Sequence, residues 1–485
     1  MVNDIRVRIA PSPTGKFHFG TARTALFNYL FAKKNNGKFI LRIEDTDIER
    51  SQEIYTEDII QALEWLGLIW DEGPQKEGEY GPYFQQERLH IYEECTDKLM
   101  DEGKAYRCFC TPEEIEADRN AAKEKGEPYR YSGKCRDLSS VQIDENMAAG
   151  KSFGIRLKVE SQVVSFKDLI HGESEFNSDD FGDFIIVRSD GTPIFLYTNV
   201  IDDNKMKISH VLRGDDHLTN TGKQLLIYQA LEMDVPEFGH FPQILNADRS
   251  KMSKRKDPTS ITEDFRDKGY LPEALINFMV LLGWSSGSDK EIYSMNELIS
   301  MFSLDRVAKS PAIFDPDKLL YFNGYYIRQL SIEDLAINCE KFIEDQILKE
   351  AIAKDRQYFY KTLKLVQERV KTLAETEELI KYFFIKPDYP KEMLVAKKSS
   401  EENTNIAINA ALLTIENLES LEPAVTEPIL RETAQKNNLK DGELLWSVRV
   451  ALSGSIASPG TFELLEVLGK EEVLARLNIA LKKLA

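Results

Sequence analysis

The stretch Ile5-Arg6-Val7-Arg8-Ile9-Ala10-Pro11-Ser12-Pro13-Thr14-Gly15-Lys16-Phe17-His18-Phe19-Gly20-Thr21 decides how the chain is read. From Ile5 to Ala10 apolar residues alternate with arginine, the period of a strand, and the Pro, Ser and Gly residues that follow make a loop. Ala22, Ala25, Leu26, Tyr29 and Leu30 then recur at helical spacing between Thr21 and Lys34, until Asn35-Asn36-Gly37 stops the helix. Lys38 to Ile43 reads as a second strand. The order strand, loop, helix, strand puts the loop at the C-terminal end of the first strand, where nucleotides bind in α/β folds. A helix N-terminus there offers N–H groups and partial positive charge to phosphate. Small residues at Ser12, Gly15 and Gly20 let the backbone approach a nucleotide, and His18 can donate to a phosphate oxygen. Taken alone, the stretch is equally a tight strand-to-helix turn with an incidental histidine, because one glycine-containing loop does not specify a ligand.

Outward from this unit, 485 residues are too many for one ordinary domain and predict roughly three to five. A helix carrying Ile59, Leu63 and Leu66 is closed by Gly67, and another runs from about Leu89 to Leu99. Thr111-Pro112-Glu113-Glu114 has the form of a helix cap, with a proline at the first helical position and a glutamate returning to the cap. The spans Phe153 to Val159, Phe184 to Val187 and Ile194 to Val200 read as strands, with Ser189-Asp190-Gly191 as a turn. After Lys256 the pattern is almost wholly helical, with starts at Asp315-Pro316 and Ser331-Ile332-Glu333-Asp334 and two terminal helices around Gly469. No stretch approaches the roughly 18 apolar residues of a membrane helix, and the first residues lack a secretory pattern, so a non-membrane protein is expected, cytoplasmic or in an organelle after processing. Five cysteines, an odd number in a long chain, argue for a reducing compartment rather than a disulfide framework. A net charge of −19 excludes little, since RNA contact needs only a local basic stripe.

A second motif, Lys251-Met252-Ser253-Lys254-Arg255-Lys256, packs four cations into a loop flanked by Asp248 and Asp257. By itself it is a solvated basic loop or an RNA contact. Paired with the His18 loop it resembles the two hallmark motifs of class I aminoacyl-tRNA synthetases, which grip ATP from opposite sides. Within that class, Arg8 to Gly15 followed by Arg42-Ile43-Glu44-Asp45-Thr46-Asp47 is similar to the glutamyl- and glutaminyl-tRNA synthetases. The similarity continues through Asn199-Val200-Ile201-Asp202-Asp203, Val211-Leu212-Arg213-Gly214-Asp215-Asp216-His217 and Asn277-Phe278-Met279-Val280-Leu281-Leu282-Gly283-Trp284. The helical C-terminal half matches bacterial-type glutamyl members, since glutaminyl members carry β-barrel anticodon domains.

The resemblance implies an α/β Rossmann-like catalytic core with an inserted acceptor-binding domain, followed by α-helical stem-contact and anticodon-binding domains. The boundaries it suggests are 1–107 and 191–240 for the two halves of the catalytic domain and 108–190 for the insertion. A stem-contact domain follows over 241–325, and helical anticodon-binding subdomains over 326–378 and 379–485. The implied activity is ATP-dependent attachment of L-glutamate to tRNA(Glu) through an adenylate, by a monomer, with magnesium accompanying ATP. His18 and Lys254 are then the catalytic, charge-stabilising residues. Pro11, Ser12, Gly15, Gly20, Thr21, Asp216, Lys251 and Ser253 join them around ATP. Arg8 and Arg213 are implied partners of the side-chain carboxylate of glutamate and Glu44 of its ammonium, with Ala10, Ser12, Phe195 and Asn199 completing the pocket. Phe195 stands where many bacterial glutamyl members have a tyrosine, with Tyr197 two positions later.

Cys108-Phe109-Cys110 and Cys135 supply three soft ligands suited to zinc. Asp137, where the family often has a further ligand, is the expected fourth, with Tyr131 the less usual choice. Free, partly buried thiols are the plain alternative. For the whole chain the other readings are a glutaminyl enzyme, a non-discriminating enzyme that also glutamylates tRNA(Gln), a nucleotidyltransferase using the same histidine loop, and a non-catalytic tRNA-binding protein.

Overall fold

The computed structural model describes residues 4–47, 49–250, 252 and 257–485. Strands β1 (Arg6–Ile9) and β2 (Lys38–Leu41) pair in parallel, Arg6 opposite Lys38 and Ile9 opposite Leu41, with helix α1 (Phe19–Lys34) between them in sequence. Every residue of β1 is buried, arginines included, as expected of a parallel strand covered on both faces. Phe19, Ala22, Leu26, Phe27 and Leu30 bury the inner side of α1. Helices α2 (Glu53–Trp65) and α3 (Leu89–Asp101) follow where the periodicity predicts them.

Strands β3 (Ala105–Cys108), β4 (Gly154–Leu157) and β7 (Ile185–Val187) form an antiparallel sheet in the order β3-β4-β7. Between them lie helices α4 (Pro112–Glu124) and α5 (Ser140–Ala148) and strands β5 (Val163–Asp168) and β6 (Gly172–Asn177). The cap read at Thr111 is present: its hydroxyl accepts from Glu114 N at 3.3 Å, and the Glu114 carboxylate accepts from Thr111 N at 3.0 Å. A second sheet has the order β6-β5-β9-β8, where β8 is His210–Gly214 and β9 is Glu237–Phe241, parallel to each other.

One element departs from the sequence reading. Ile194 to Val200, expected as a strand, is the start of helix α6 (Phe195–Lys205). Tyr197, Val200 and Ile201 are fully buried on one side of this helix, while Thr198, Asn199, Asp202 and Asp203 are buried on others. A helix buried all round loses the apolar stripe that marks it, and a short apolar run then looks like a strand. Helix α7 (Leu218–Leu231) completes the elements around the site.

The chain divides into two units, the first comprising 1–267 with 275–316, the second 268–274 with 317–485. Among its described residues the second unit holds no strand. Helix Glu401–Glu416 buries Ala407, Ile408, Ala411 and Ile415, Asp441–Ser453 buries Leu444, Val448 and Leu452, and Lys470–Leu484 buries Val473, Leu477 and Ala480. Their three-to-four spacing makes each an amphipathic stripe on a shared core. Among the described residues no helix is long and apolar enough to cross a membrane.

Candidate active site

His18 is the N-cap of α1, its Nδ1 accepting from Gly20 N at 3.0 Å. With Nδ1 as acceptor, the neutral ring carries its proton on Nε2. A Cβ at Gly20 would lie 3.3 Å from that Nδ1, a tight contact, so a side chain there would crowd the capping histidine. The loop before it is pinned from α2, where Asp58 Oδ2 accepts from Phe17 N at 2.7 Å and Oδ1 from the Thr262 hydroxyl at 2.6 Å. Phe19 N donates to Thr259 O at 2.7 Å, and Ile261 N to Phe17 O at 3.0 Å. The His18 loop is therefore stitched to the segment that follows the basic loop. Of that loop, Met252 is described, buried and beside the same cavity; Lys251, Ser253 and Lys254 lie outside the described residues.

One cavity of about 650 Å³ brings the two predicted sets together: Pro11, Ser12, Gly15, His18, Gly20, Thr21 and Asp216 with Arg8, Ala10, Glu44, Phe195, Asn199 and Arg213. Its floor is a buried ionic network. Arg42, fully buried, donates to Asp203 at 2.8 Å and to Glu44 Oε1 at 3.0 Å. Arg8 grips Asp203 with Nε at 3.0 Å and Nη2 at 3.1 Å. Asn199 Nδ2 donates to Glu44 Oε1 at 2.7 Å. Below them Asp202 accepts from Arg88 at 2.6 Å, Tyr92 at 2.9 Å and Gln85 at 2.8 Å. Arg213 donates from Nη2 to Gln224 at 2.6 Å and Thr221 at 2.8 Å, and from Nε to His240 at 3.3 Å.

Three buried atoms of residues lining this cavity have no hydrogen-bond partner among the described residues: Glu44 Oε2, Arg213 Nη1, and Arg23 Nε, whose guanidinium is otherwise held by Leu282 O and Pro242 O. Burial raises the Glu44 carboxyl above its ordinary range despite Arg42 and Arg8. Burial, with Arg8 adding to it, pulls the Arg213 guanidinium down to about 10, so it is still charged at neutral pH. Burial and the Arg213 charge pull His217 down to about 4, leaving a neutral ring tilted against Phe195 with centroids 5.5 Å apart. The unpaired oxygen of Glu44 and the unpaired nitrogen of Arg213, in a common cavity, suit a ligand that carries both an ammonium and a carboxylate.

Arg42, Asp203, His217, Thr221, Gln224 and His240 were not singled out by the sequence reading. Arg42, Asp203 and His217 stood in quoted segments, yet nothing in one sequence says which residues they meet. Tyr197 does not supply the hydroxyl missing at Phe195: it is fully buried, with its hydroxyl 3.1 Å from Thr96 Oγ1.

At the end of β3 and in the segment before α5, the sulfurs of Cys108, Cys110 and Cys135 lie within 4.8 Å of one another, and Asp137 is not part of the group. Tyr131 is: its hydroxyl is 3.4 Å from Cys108 Sγ and 3.5 Å from Cys110 Sγ. Burial, with its neighbouring thiols adding to it, pushes the Cys110 thiol up to about 12. At Cys108 burial raises the thiol, but hydrogen bonds from Tyr131 and Arg156 outweigh it and bring it below the ordinary value.

A parallel strand–loop–helix with a histidine cap, sharing a cavity with a pocket for an amphoteric molecule, defines an α/β enzyme that brings a nucleotide to such a substrate. The family model for the catalytic domain of class I tRNA synthetases (E and Q) matches residues 4–321, and that for an anticodon binding domain matches 334–481. The chain is 46% identical over 480 residues to glutamate–tRNA ligase 2 of Caldicellulosiruptor saccharolyticus, covering 99% of each chain. It is 45% identical over 489 residues to glutamate–tRNA ligase 1 of Syntrophomonas wolfei, covering 100% of this chain and 97% of the relative. The crystal structure of a glutamate tRNA ligase from Elizabethkingia meningosepticum, in complex with its amino acid, matches with a TM-score of 0.87 at 33% identity, covering 99% of this chain and 100% of that one. The chain belongs to the class I tRNA synthetases (E and Q).

Proposed function

We propose that the chain is a glutamate–tRNA ligase, which activates L-glutamate with ATP and transfers it to tRNA(Glu). The observation that carries this is the pair of unpartnered buried atoms: Glu44 Oε2 suits the α-ammonium and Arg213 Nη1 the side-chain carboxylate. Arg8, already paired with Asp203, adds positive charge beside them. The glutamate α-carboxylate oxygen bonds to the α-phosphorus of ATP, the bond to the β-phosphate oxygen breaks, and diphosphate leaves. A terminal ribose hydroxyl of tRNA then attacks the acyl carbon and AMP departs. No covalent enzyme nucleophile is needed, so the protein's part is position and charge. His18 Nε2–H and the Lys254 ammonium stabilise charge on the phosphates, and magnesium bound with ATP supplies charge neutralisation on the leaving diphosphate.

Residues 108–190 serve as the acceptor-binding insertion and the helices from 326 onward read the anticodon, in a monomeric cytoplasmic enzyme; the anticodon-domain match over 334–481 supports the second assignment. The test is charging of purified tRNA(Glu) with labelled glutamate, with glutamine run in parallel. Glutamyl-tRNA forms and glutamine gives none; charging by glutamine in place of glutamate removes the reading.

Cys108, Cys110 and Cys135 hold zinc, with Tyr131 as the fourth contact. Three soft sulfurs mutually within 4.8 Å and a hydroxyl against two of them support a closed structural site. Metal analysis of the purified protein returns about one zinc per chain, and the Cys110→Ser, Cys135→Ser double variant loses it. Metal-free wild type with an unchanged melt would exclude the site.

A further inference from the structure

Arg213 is held on one edge and open on the other, and the group that holds it leads back to a carboxylate outside the cavity. Asp168, the last residue of β5, accepts at Oδ1 from the backbone N–H groups of Ile170 and His171, both at 2.8 Å, which fix its orientation. Its Oδ2 lies 2.6 Å from His240 Nδ1. Both side chains are fully buried. A carboxylate in that position keeps the His240 proton on Nδ1 and leaves Nε2 as an acceptor. That acceptor faces Arg213 Nε at 3.3 Å and the Thr221 hydroxyl at 3.0 Å. Thr221 Oγ1 takes one proton of Arg213 Nη2 at 2.8 Å, and Gln224 Oε1 takes the other at 2.6 Å. Gln224 is itself turned the right way by its Nε2, which donates to Asn199 Oδ1 at 3.4 Å.

The accounting is complete for Nε and Nη2, and every acceptor is neutral among the described residues. Nη1 is the nitrogen left over, with the cation's charge unmatched by any carboxylate in contact. In the opposite tautomer His240 would point Nε2–H at Arg213 Nε–H, two donors head to head, and the guanidinium would have to turn away. We propose that Asp168 and His240 are positioning residues that aim Arg213 at a side-chain carboxylate and thereby set the preference for glutamate over glutamine. This rests on the reading of Arg213 as the carboxylate partner. An amide in the same place would accept from Nη1 yet leave the buried charge unpaired, whereas a carboxylate does both.

The test is Asp168→Asn. The shape and the two backbone bonds at Oδ1 are kept, but the new Nδ2–H donates to His240 Nδ1 and drives its proton to Nε2. The KM for glutamate rises about tenfold, the loss of one hydrogen bond to a charged group. The kcat stays within about twofold, because the contact is the same in ground and transition state. The glutamate-to-glutamine ratio of kcat/KM falls. His240→Gln offers Arg213 an amide oxygen with no tautomer to choose, so in that background Asp168→Asn adds less than about twofold. Equal cost of Asp168→Asn in both backgrounds, or an unchanged KM and selectivity, overturns the proposal. Should Asp168→Asn fail to fold, His240→Leu against His240→Gln decides: the leucine variant raises KM and the glutamine variant does not, and equal values overturn it. Wild-type protein inactive toward glutamate with tRNA present would instead remove the reading beneath it.

Discussion

Arg213→Met lowers kcat/KM for glutamate by on the order of 10³-fold, while the protein melts no lower than its parent. The kinetic loss comes from the one edge of Arg213 that the protein leaves unbonded. Nη1 is the unsatisfied donor of a fully buried cation, and its removal leaves the incoming carboxylate desolvated with no counter-charge in its place. The preserved melt comes from the same isolation. Burial brings the guanidinium from its ordinary range down to about 10, which at neutral pH corresponds to a destabilisation of roughly 3 kcal/mol in the ligand-free protein. The sign is that of a cation whose folded-state affinity for its proton is lowered: the cost is fully present below pH 10. Methionine fills much of the volume and carries no charge, which offsets the hydrogen bonds lost at Gln224, Thr221 and His240, so stability is kept. Glutamate kinetics and a thermal melt on one preparation check both halves. A variant with nearly normal kcat/KM, or one melting more than about 5 °C lower, would show Arg213 to be structural.

How far this site could be read from the chain depends on whether its signals are local. The β1-loop-α1-β2 unit was legible because alternation, helical spacing and punctuation at Asn35-Asn36-Gly37 all lie within about forty residues of sequence. The Thr111 cap was legible for the same reason. Helix α6 was not, because its polar side is buried against charges rather than solvated, and binary patterning assumes a wet face. The partners of the pocket were beyond reach on other grounds: Arg42 meets Asp203 across 161 positions, and His240 meets Asp168 across 72. A charged residue in a strand looks alike from the sequence whether it is solvated or neutralised by a residue brought in by the fold. The cysteine spacing pointed to a cluster, but the choice between Asp137 and Tyr131 turns on which side chain the loop folds inward. That is tertiary information.

The same network predicts what the loss of Arg42 does. Burial alone would weaken this cation, and Asp203, Asp202 and Glu44 more than reverse that. Arg42→Met leaves Asp203 to Arg8, Asp202 to Arg88, and Glu44 to Asn199 alone. Breaking a buried ionic cluster from one side costs about 3–5 kcal/mol, so Tm falls by on the order of 10 °C. The catalytic signature is separate from this. Glu44 must be ionised to receive an ammonium, and its carboxyl is already raised by burial, with Arg42 the strongest opposing influence. Without Arg42 it rises further, so the acid limb of kcat/KM for glutamate, which reports the free enzyme, moves to higher pH. The defect is therefore larger at pH 6 than at pH 8, where Glu44 regains its charge. Arg42→Lys keeps a cation but not the fork that reaches Asp203 and Glu44 together, and its acid limb falls between the two. A profile displaced equally at all pH values would mean that Arg42 acts through packing, and that Glu44 is not the group whose charge the substrate needs.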